Sequence, residues 1–356
     1  MELQGTRGAA LWIASDIGGE DVVSPPVVSI IGAGSWGTTV ASLVAANTLT
    51  TIWARSAETV REIERAHTNS AYLPGESLHP QLRATTRVDD AVHSADVLVM
   101  AIPSSGFRAV LADAAPFVRP MIPVVSLTKG LELGTGSRMT QVVAEVLPGH
   151  PAGVLSGPNI AKKVVRGLAA AAVVAMPDQH IAQALQGIFR SRLFRVYTST
   201  DVVGAELGGA LKNVVAIAAG MAQGFGAGDN TRATVIARSL AEMSRLGVAM
   251  GGRVETFAGL AGMGDLIATC ISPHSRNRYV GEQLAGGRRI EDITEQMNMV
   301  AEGVKTSSVV AQLADEHDID MPISREVYRV THGLQPARTA FRRLLRTLPT
   351  TELAAG

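Results

Sequence analysis

The chain has 356 residues, 32 Lys or Arg against 32 Asp or Glu, and so no formal net charge. With 18% charged and 46% apolar residues and 36 glycines, it excludes a polybasic nucleic-acid surface and an acidic tail and fits a compact, turn-rich α/β protein. The length favours two domains, and one cysteine, Cys270, excludes an intramolecular disulfide and suits a reducing compartment.

Residues 1–26 read as an extension ahead of the first domain. The apolar run 9–14 is too short to span a bilayer, and Asp16, Glu20 and Asp21 follow it without a cleavage site. No other stretch reaches about 18 uninterrupted apolar residues. The expectation is a soluble, cytoplasmic protein with no membrane span. Ser24-Pro25-Pro26 then leads into a short buried strand at 27–31, followed at once by GAGSWG (32–37), a helix over 38–46 and a second strand over 50–53. Strand, GxGxxG, helix and strand in this order form a dinucleotide-binding unit. Gly32 allows the tight turn, Gly34 lets backbone approach a pyrophosphate, and Gly37 lets helix and strand pack closely. An acid at the end of the second strand would take the ribose 2′-hydroxyl of NAD. This chain has Trp53-Ala54-Arg55, and Arg55 favours the 2′-phosphate of NADPH.

Further buried strands are expected at 96–102, 123–127, 153–156, 170–176 and 194–197. In open α/β sheets ligands gather at the carboxyl ends of strands, which places Pro103, Lys129 and residues 157–161 around one crevice. Only five of the basic residues are lysine, at 129, 162, 163, 212 and 305, so a lysine in such a setting is distinctive.

Past Thr200 the strand signals stop. Over 204–224, GAELGGALKNVVAIAAGMAQG, Leu207, Leu211, Val214, Val215, Ala218 and Met221 recur at helical spacing as an apolar stripe. Another face carries Lys212 with Gly208 and Gly209 a turn before it and Ala216, Ala219 and Gly220 after it. Small residues beside one lysine admit a ligand or a second surface close to the ammonium. A tight helix contact with Lys212 snorkelling to water gives the same pattern. AGLAGMGDL (258–266) follows, ending near Asp265. Then SPHSRNR (272–278) opens a helix running to about residue 285. Ser275, Arg276 and Asn277 at a helix start combine free N–H groups, a hydroxyl, a guanidinium and an amide, which suits a phosphate; an N-cap beside exposed arginines reads the same way. The eight histidines show no metal-ligand spacing, and no metal is expected.

Taken together, GAGSWGT, YLPG (72–75), AIPS (101–104), SLTKGLE (126–132), SGPNIAKKV (156–164), the 201–233 segment, GMGDLIATCISPHSRNR (262–278) and VAEGVKT (300–306) resemble the bacterial-type NAD(P)-dependent sn-glycerol-3-phosphate dehydrogenases over about residues 27–332. The resemblance implies an α/β fold, an N-terminal Rossmann-like doubly wound sheet domain followed by an all-α C-terminal domain. The division would be an extension at 1–26, an NAD(P)-binding domain at 27–199, a helical substrate and catalytic domain at 200–345 and a tail at 346–356. It implies reversible reduction of dihydroxyacetone phosphate to sn-glycerol 3-phosphate for glycerophospholipid synthesis, with NADP(H) as cofactor and NAD as the alternative, in a homodimer. Lys212 becomes the catalytic acid/base. Lys129, Gly157, Asn159, Asp265, Ser275, Arg276 and Asn277 fall at the substrate. Gly32, Gly34, Ser35, Trp36, Gly37, Arg55, Tyr72, Ala161, Val300 and Glu302 fall at the cofactor, and Lys129 and Arg276 touch both ligands.

Three features depart from the family pattern: Asn159 stands where serine or threonine is usual, the extension precedes the pattern, and the arginine-rich tail past about His332 matches poorly. Confinement and a second cation would lower the Lys212 pKa from about 10.4, whereas a nearby Asp265 would raise it; sequence leaves that sum open. Another two-domain hydroxyacid-type dehydrogenase, or a non-catalytic NADPH-binding protein, are the alternative readings. SPHSRN with GMGDL argues against the first, and the presence of Lys212 and Asp265 against the second.

Overall fold

The computed structural model describes residues 25–297 and 301–346. Most of the expected extension, Val300 and the expected tail past Arg346 lie outside the described residues. In chain order the first elements are β1 (Val27–Ile31), α1 (Ser35–Val44), β2 (Leu49–Trp53), α2 (Ala57–Ala66), β3 (Arg83–Thr85), α3 (Val88–Val92), β4 (Val97–Met100), α4 (Ser104–Ala114) and β5 (Val124–Ser126). They continue with α5 (Met139–Val146), β6 (Ala152–Ser156), α6 (Ala161–Val165), β7 (Ala170–Ala175), α7 (Gln179–Phe189) and β8 (Phe194–Ser199).

The eight strands form one sheet in the order β3-β2-β1-β4-β5-β6-β7-β8. Pairing is parallel from β3 through β6 and again between β7 and β8. Strand alternation feeds two cores, one on each face: Val97 and Val99 enter one, Leu98 and Met100 the other. The order of the strands reverses between β1 and β4, which makes their carboxyl ends the ligand-binding edge of a Rossmann-type sheet. The expected strands are all present, with ends that match or move by one or two residues: those expected at 96–102, 123–127 and 170–176 are shorter, and those at 50–53, 153–156 and 194–197 are longer. Edge strand β3, three residues long, was not expected, because so short a run carries no periodicity.

From residue 202 the described residues are helical: α8 (Val202–Gly224), α9 (Asp229–Ala249), α10 (Val254–Ala258), a π-turn at Leu260–Gly264, α11 (Asp265–Ile271), α12 (Arg276–Ala285), α13 (Ile290–Glu295), α14 (Glu302–Glu316), α15 (Pro322–Thr331) and α16 (Ala337–Arg346). By contacts the chain divides into two units. The first comprises the chain up to Thr128, Met139–Leu155 and Asn159–Val202, and the second comprises Lys129–Arg138, Ser156–Pro158 and the chain from Val203. Two short excursions from the strand-forming half, one carrying Lys129 and the other Gly157, thus belong to the helical unit.

The helix α8 corrects the one-sided stripe read from its sequence. Its residues from Ala205 to Ala222 are buried around the whole circumference, Lys212 included. It is long and apolar enough to cross a bilayer by length and composition, yet 94% of that window is buried inside the protein, as befits the central helix of a bundle. Small residues set how closely its neighbours come. A Cβ on Gly281 of α12 would stand 2.1 Å from the Ile217 carbonyl oxygen and 2.7 Å from the Met221 nitrogen, so the two helices meet backbone to backbone. Gly281→Ala must push α12 off α8, and overpacking of this kind costs about 1–3 kcal/mol or more. A lowered thermal midpoint is the expected result, read by circular dichroism.

Candidate active site

In the first unit, the GAGSWG loop turns from β1 into α1. Gly32 adopts φ +116°, and a Cβ there would lie 2.6 Å from the Ala101 carbonyl oxygen, so only glycine fits. A Cβ on Gly37 would meet the Gly32 carbonyl oxygen at 2.1 Å, whereas one on Gly34 would meet nothing within 4 Å. The two outer glycines therefore close the turn, and the middle one leaves open space where a ligand can approach backbone. No side chain caps α1 and no acid occupies its first turn, so its N–H groups and partial positive charge face that space. The cradle fits a dinucleotide pyrophosphate.

Other residues expected at the cofactor belong to the same unit. Ser35 donates to the Tyr72 carbonyl oxygen at 3.0 Å. Trp36 packs edge-on against Phe194, its centroid 6.2 Å away. Arg55 is exposed in the residues between β2 and α2. The Ala161 carbonyl accepts from Thr39 of α1 at 3.4 Å. Asn159, expected at the substrate, lies between β6 and α6, and among the described residues neither of its buried amide atoms has a hydrogen-bond partner.

The second unit holds a compact cluster of charges. Lys212, 6% exposed on α8, donates to Asp265 Oδ1 at 2.7 Å and to Thr269 Oγ1 at 2.6 Å. Lys129 donates to Asp265 Oδ2 at 2.7 Å and to the Gly157 carbonyl at 2.8 Å. One buried carboxylate thus bridges two ammonium groups, one to each oxygen. An ammonium has three N–H donors, and two are spent on each lysine. Thr269 donates in turn to the Asp265 carbonyl at 2.7 Å, which fixes its lone pairs toward Lys212.

Glycines explain why these groups can meet. A Cβ on Gly208 would come within 2.6 Å of the Ala261 carbonyl, so its absence lets α8 touch the π-turn that presents Asp265. A Cβ on Gly209 would stand 2.8 Å from Ser156 Oγ and 3.4 Å from Lys129 Cγ, so its absence admits the two excursions carrying Lys129 and Gly157. A π-turn is an uncommon element that recurs at functional sites. Burial is the largest influence on Lys212 and lowers its pKa from 10.5 to about 8; Asp265 opposes the fall and Lys129 adds to it. That is the sum the sequence left open. Snorkelling to water is excluded by its burial.

Beside this cluster, Asn213 ties the pieces together. Its amide donates to the Lys129 carbonyl at 2.8 Å and accepts from Asn277 at 2.9 Å, while Asn277 accepts from the Gly303 N–H at 3.0 Å. Ser275 caps α12 by accepting from the Arg278 N–H, the N-cap role the sequence also allowed. Burial lowers the Arg276 pKa, with Glu302 at the start of α14 opposing. Lys129, Gly157, Lys212, Asp265, Ser275, Arg276, Asn277 and Glu302 all belong to this unit. Asn213 and Thr269 were missed by sequence reading, although each carries a signal: one adjoins Lys212, the other lies one helical turn after Asp265. Among the described residues no three His, Cys, Asp or Glu side chains gather as a metal-ligand set.

A glycine cradle at a Rossmann switch point and a desolvated lysine with a lowered pKa define the class: an oxidoreductase that uses a nicotinamide dinucleotide. The chain matches the family described as NAD-dependent glycerol-3-phosphate dehydrogenase, N-terminus over residues 27–182 and C-terminus over residues 201–342. It is 58% identical over 320 residues to glycerol-3-phosphate dehydrogenase [NAD(P)+] 2 of Sphingopyxis alaskensis, covering 90% of this chain and 96% of that one. It is 57% identical to glycerol-3-phosphate dehydrogenase [NAD(P)+] of Mycobacterium avium, covering 91% and 95%. The crystal structure of glycerol-3-phosphate dehydrogenase from Coxiella burnetii superposes with a TM-score of 0.86 at 33% identity, covering 90% of this chain and 99% of that one. The chain belongs to the NAD-dependent glycerol-3-phosphate dehydrogenase family.

Proposed function

We propose that the protein reduces dihydroxyacetone phosphate reversibly to sn-glycerol 3-phosphate, with Lys212 as the acid/base. The observation that carries this reading is the Lys212 ammonium, buried, held by Asp265 and Thr269, and left with one undirected N–H. The nicotinamide cofactor, when bound, supplies or accepts the hydride. As negative charge grows on the substrate carbonyl oxygen, Lys212 stabilises it and then delivers a proton; in oxidation the neutral amine removes the proton. Asp265 orients both ammonium groups, and low local dielectric strengthens each contact. Lys129, Arg276 and the backbone around Gly157 hold the substrate, the two cations taking its phosphate, with Ser275 setting the start of α12 and Asn277 bracing it. Val300 and Glu302 belong at the cofactor.

The cradle of Gly32, Gly34, Ser35, Trp36 and Gly37, with Tyr72 and Ala161, holds the dinucleotide, and exposed Arg55 selects NADPH over NADH. The sheet unit is thereby the cofactor domain and the helical unit the catalytic domain. The product serves glycerophospholipid synthesis, in the cytoplasm, from a homodimer. A hydroxyacid-type dehydrogenase would not need the SPHSRN and GMGDL segments, and a non-catalytic NADPH-binding protein would not need the desolvated lysine.

The test is NADPH or NADH oxidation by the purified protein with dihydroxyacetone phosphate against its unphosphorylated analogue, dihydroxyacetone. Oxidation that requires the phosphate ester supports the reading, and NADPH binding without turnover sinks it. Arg276→Ala should raise KM for dihydroxyacetone phosphate by about 10–100-fold, the loss of one charge-assisted phosphate contact, with a smaller change in NADPH affinity. An unchanged KM would remove Arg276 from the phosphate.

A further inference from the structure

The Lys129–Arg138 segment, which precedes α5, belongs to the same unit as α8, and both of its ends are held on that helix. At the near end Asn213 donates to the Lys129 carbonyl at 2.8 Å. At the far end Arg138 donates to Glu206 Oε2 at 2.7 Å, the two side chains 15% and 4% exposed. Glu206 and Asn213 lie seven residues apart, two helical turns, and so share one face of α8, with Gly209 between them to admit the Lys129 stem. The segment is also closed on itself. The Glu132 N–H donates to the Ser137 carbonyl at 2.9 Å, the Gly136 N–H donates to the Glu132 carbonyl at 3.0 Å, and Leu131 is buried in the helical core. A displacement at Arg138 therefore reaches Lys129. A buried ion pair is seldom the most stable way to fill such a space, because well-packed apolar side chains of similar volume do as well or better. What the pair supplies is direction, a guanidinium N–H aimed at one carboxylate oxygen. Nothing in the chemistry proposed above uses either group.

We propose that Glu206 and Arg138 are positioning residues: their ion pair fixes the far end of the Lys129–Arg138 segment on α8 and thereby holds the Lys129 ammonium where it meets Asp265 and the substrate phosphate. The assignment rests on the functional reading above, in which Lys129 and Arg276 take that phosphate. Two effects follow when the pair is lost. Lys129 leaves its place, so the substrate binds less tightly while Lys212, held by Asp265 and Thr269, stays where it is. The second effect is read at Lys212. Burial is the largest influence lowering its pKa and Lys129 adds to it, whereas Asp265 and Cys270, both of α11, act the opposite way. Withdrawal of the Lys129 ammonium lets that pKa rise above about 8, and reduction, which needs the Lys212 ammonium, keeps its rate to higher pH.

The test measures KM and kcat for dihydroxyacetone phosphate at saturating NADPH, across pH, beside thermal midpoints. The variants are Glu206→Gln, Arg138→Lys and the double variant Glu206→Leu/Arg138→Met. Glu206→Gln keeps the shape and removes the charge; the double variant replaces the whole pair by apolar side chains, and its midpoint should match or exceed wild type. Both should raise KM about tenfold, with kcat at neutral pH within about threefold, and carry the pH dependence of reduction upward. Arg138→Lys keeps a cation on Glu206 and should hold KM within about threefold. Glu242→Gln is the control for stability alone. Glu242 of α9 accepts from the Ile323 and Ser324 N–H groups at the start of α15, so its loss lowers the midpoint and leaves KM and the pH dependence at wild-type values. A double variant as stable as wild type with KM and pH dependence unmoved overturns the assignment, and the pair then serves the fold alone. A KM that rises as much in Glu242→Gln as in Glu206→Gln, or as much in Arg138→Lys as in the double variant, overturns it too. Wild type that leaves dihydroxyacetone phosphate untouched overturns the functional reading itself, and this assignment with it.

Discussion

Lys212→Ala is expected to lower kcat for dihydroxyacetone phosphate reduction by about 10²–10⁴-fold, the usual worth of a positioned proton donor. KM and NADPH affinity should change far less, since Arg276, Lys129 and the glycine cradle remain. The wild-type pH dependence follows from the lowered pKa of about 8. The ammonium is the working form in reduction, so that rate falls as pH rises through about 8; the neutral amine works in oxidation, so that rate rises through the same range. Opposite limbs from one group are a signature that a purely structural lysine would not give. The linkage to stability has its own sign. A lysine whose folded pKa is depressed binds fewer protons folded than unfolded between about 8 and 10.5, so stability rises across that window and is lowest below it. A variant within about tenfold of wild type, with both limbs preserved, would move the acid/base role to another residue.

The sheet unit was legible because its signals are local. Strand, glycine turn and helix follow one another within residues 27–53; Gly32 and Gly37 each answer to a contact that a Cβ would occupy, and Gly34 to the open space beside the turn. The lysine cluster was legible only in part. Small residues beside Lys212 are visible in the sequence, but the reason for them is not: Gly208 and Gly209 face the π-turn and the Lys129 excursion, segments far away along the chain. Likewise the stripe on α8 suggested a helix with one dry face. The surrounding helices bury every face, and the ammonium is tolerated because a carboxylate and a hydroxyl meet it. LAGMG in the π-turn reads only as a glycine-rich turn between helices, because glycine erases periodicity. Thr269 and Asn213 look like ordinary helix residues until their partners, Asp265 and Lys129, are in place.

The same bridging carboxylate makes Asp265→Asn the other change with a large expected effect. Asn is nearly isosteric, so packing against α8 is retained while the charge is lost. Two buried ammonium groups then face each other with no counterion. The charge attraction that holds the Lys212 pKa up disappears and the hydrogen bond weakens to one from a neutral amide oxygen, while burial and Lys129 continue to depress it. The pKa must fall below about 8, and the pH limbs of reduction and oxidation should move together to lower pH. At neutral pH the reduction loses its proton donor and slows by at least about tenfold. Removing one partner of a buried ion pair costs about 3–5 kcal/mol, less whatever Lys212 recovers by giving up its proton. Stability should therefore recover as pH rises in the variant, and denaturant unfolding at two pH values reads that recovery directly. Asp265→Ala cannot separate these effects, because it adds a cavity to the lost charge. If Asp265→Asn lowered kcat with the pH limbs unmoved, Asp265 would be orienting Lys212 without setting its proton affinity. The pKa of Lys212 would then be governed by burial and Lys129 alone.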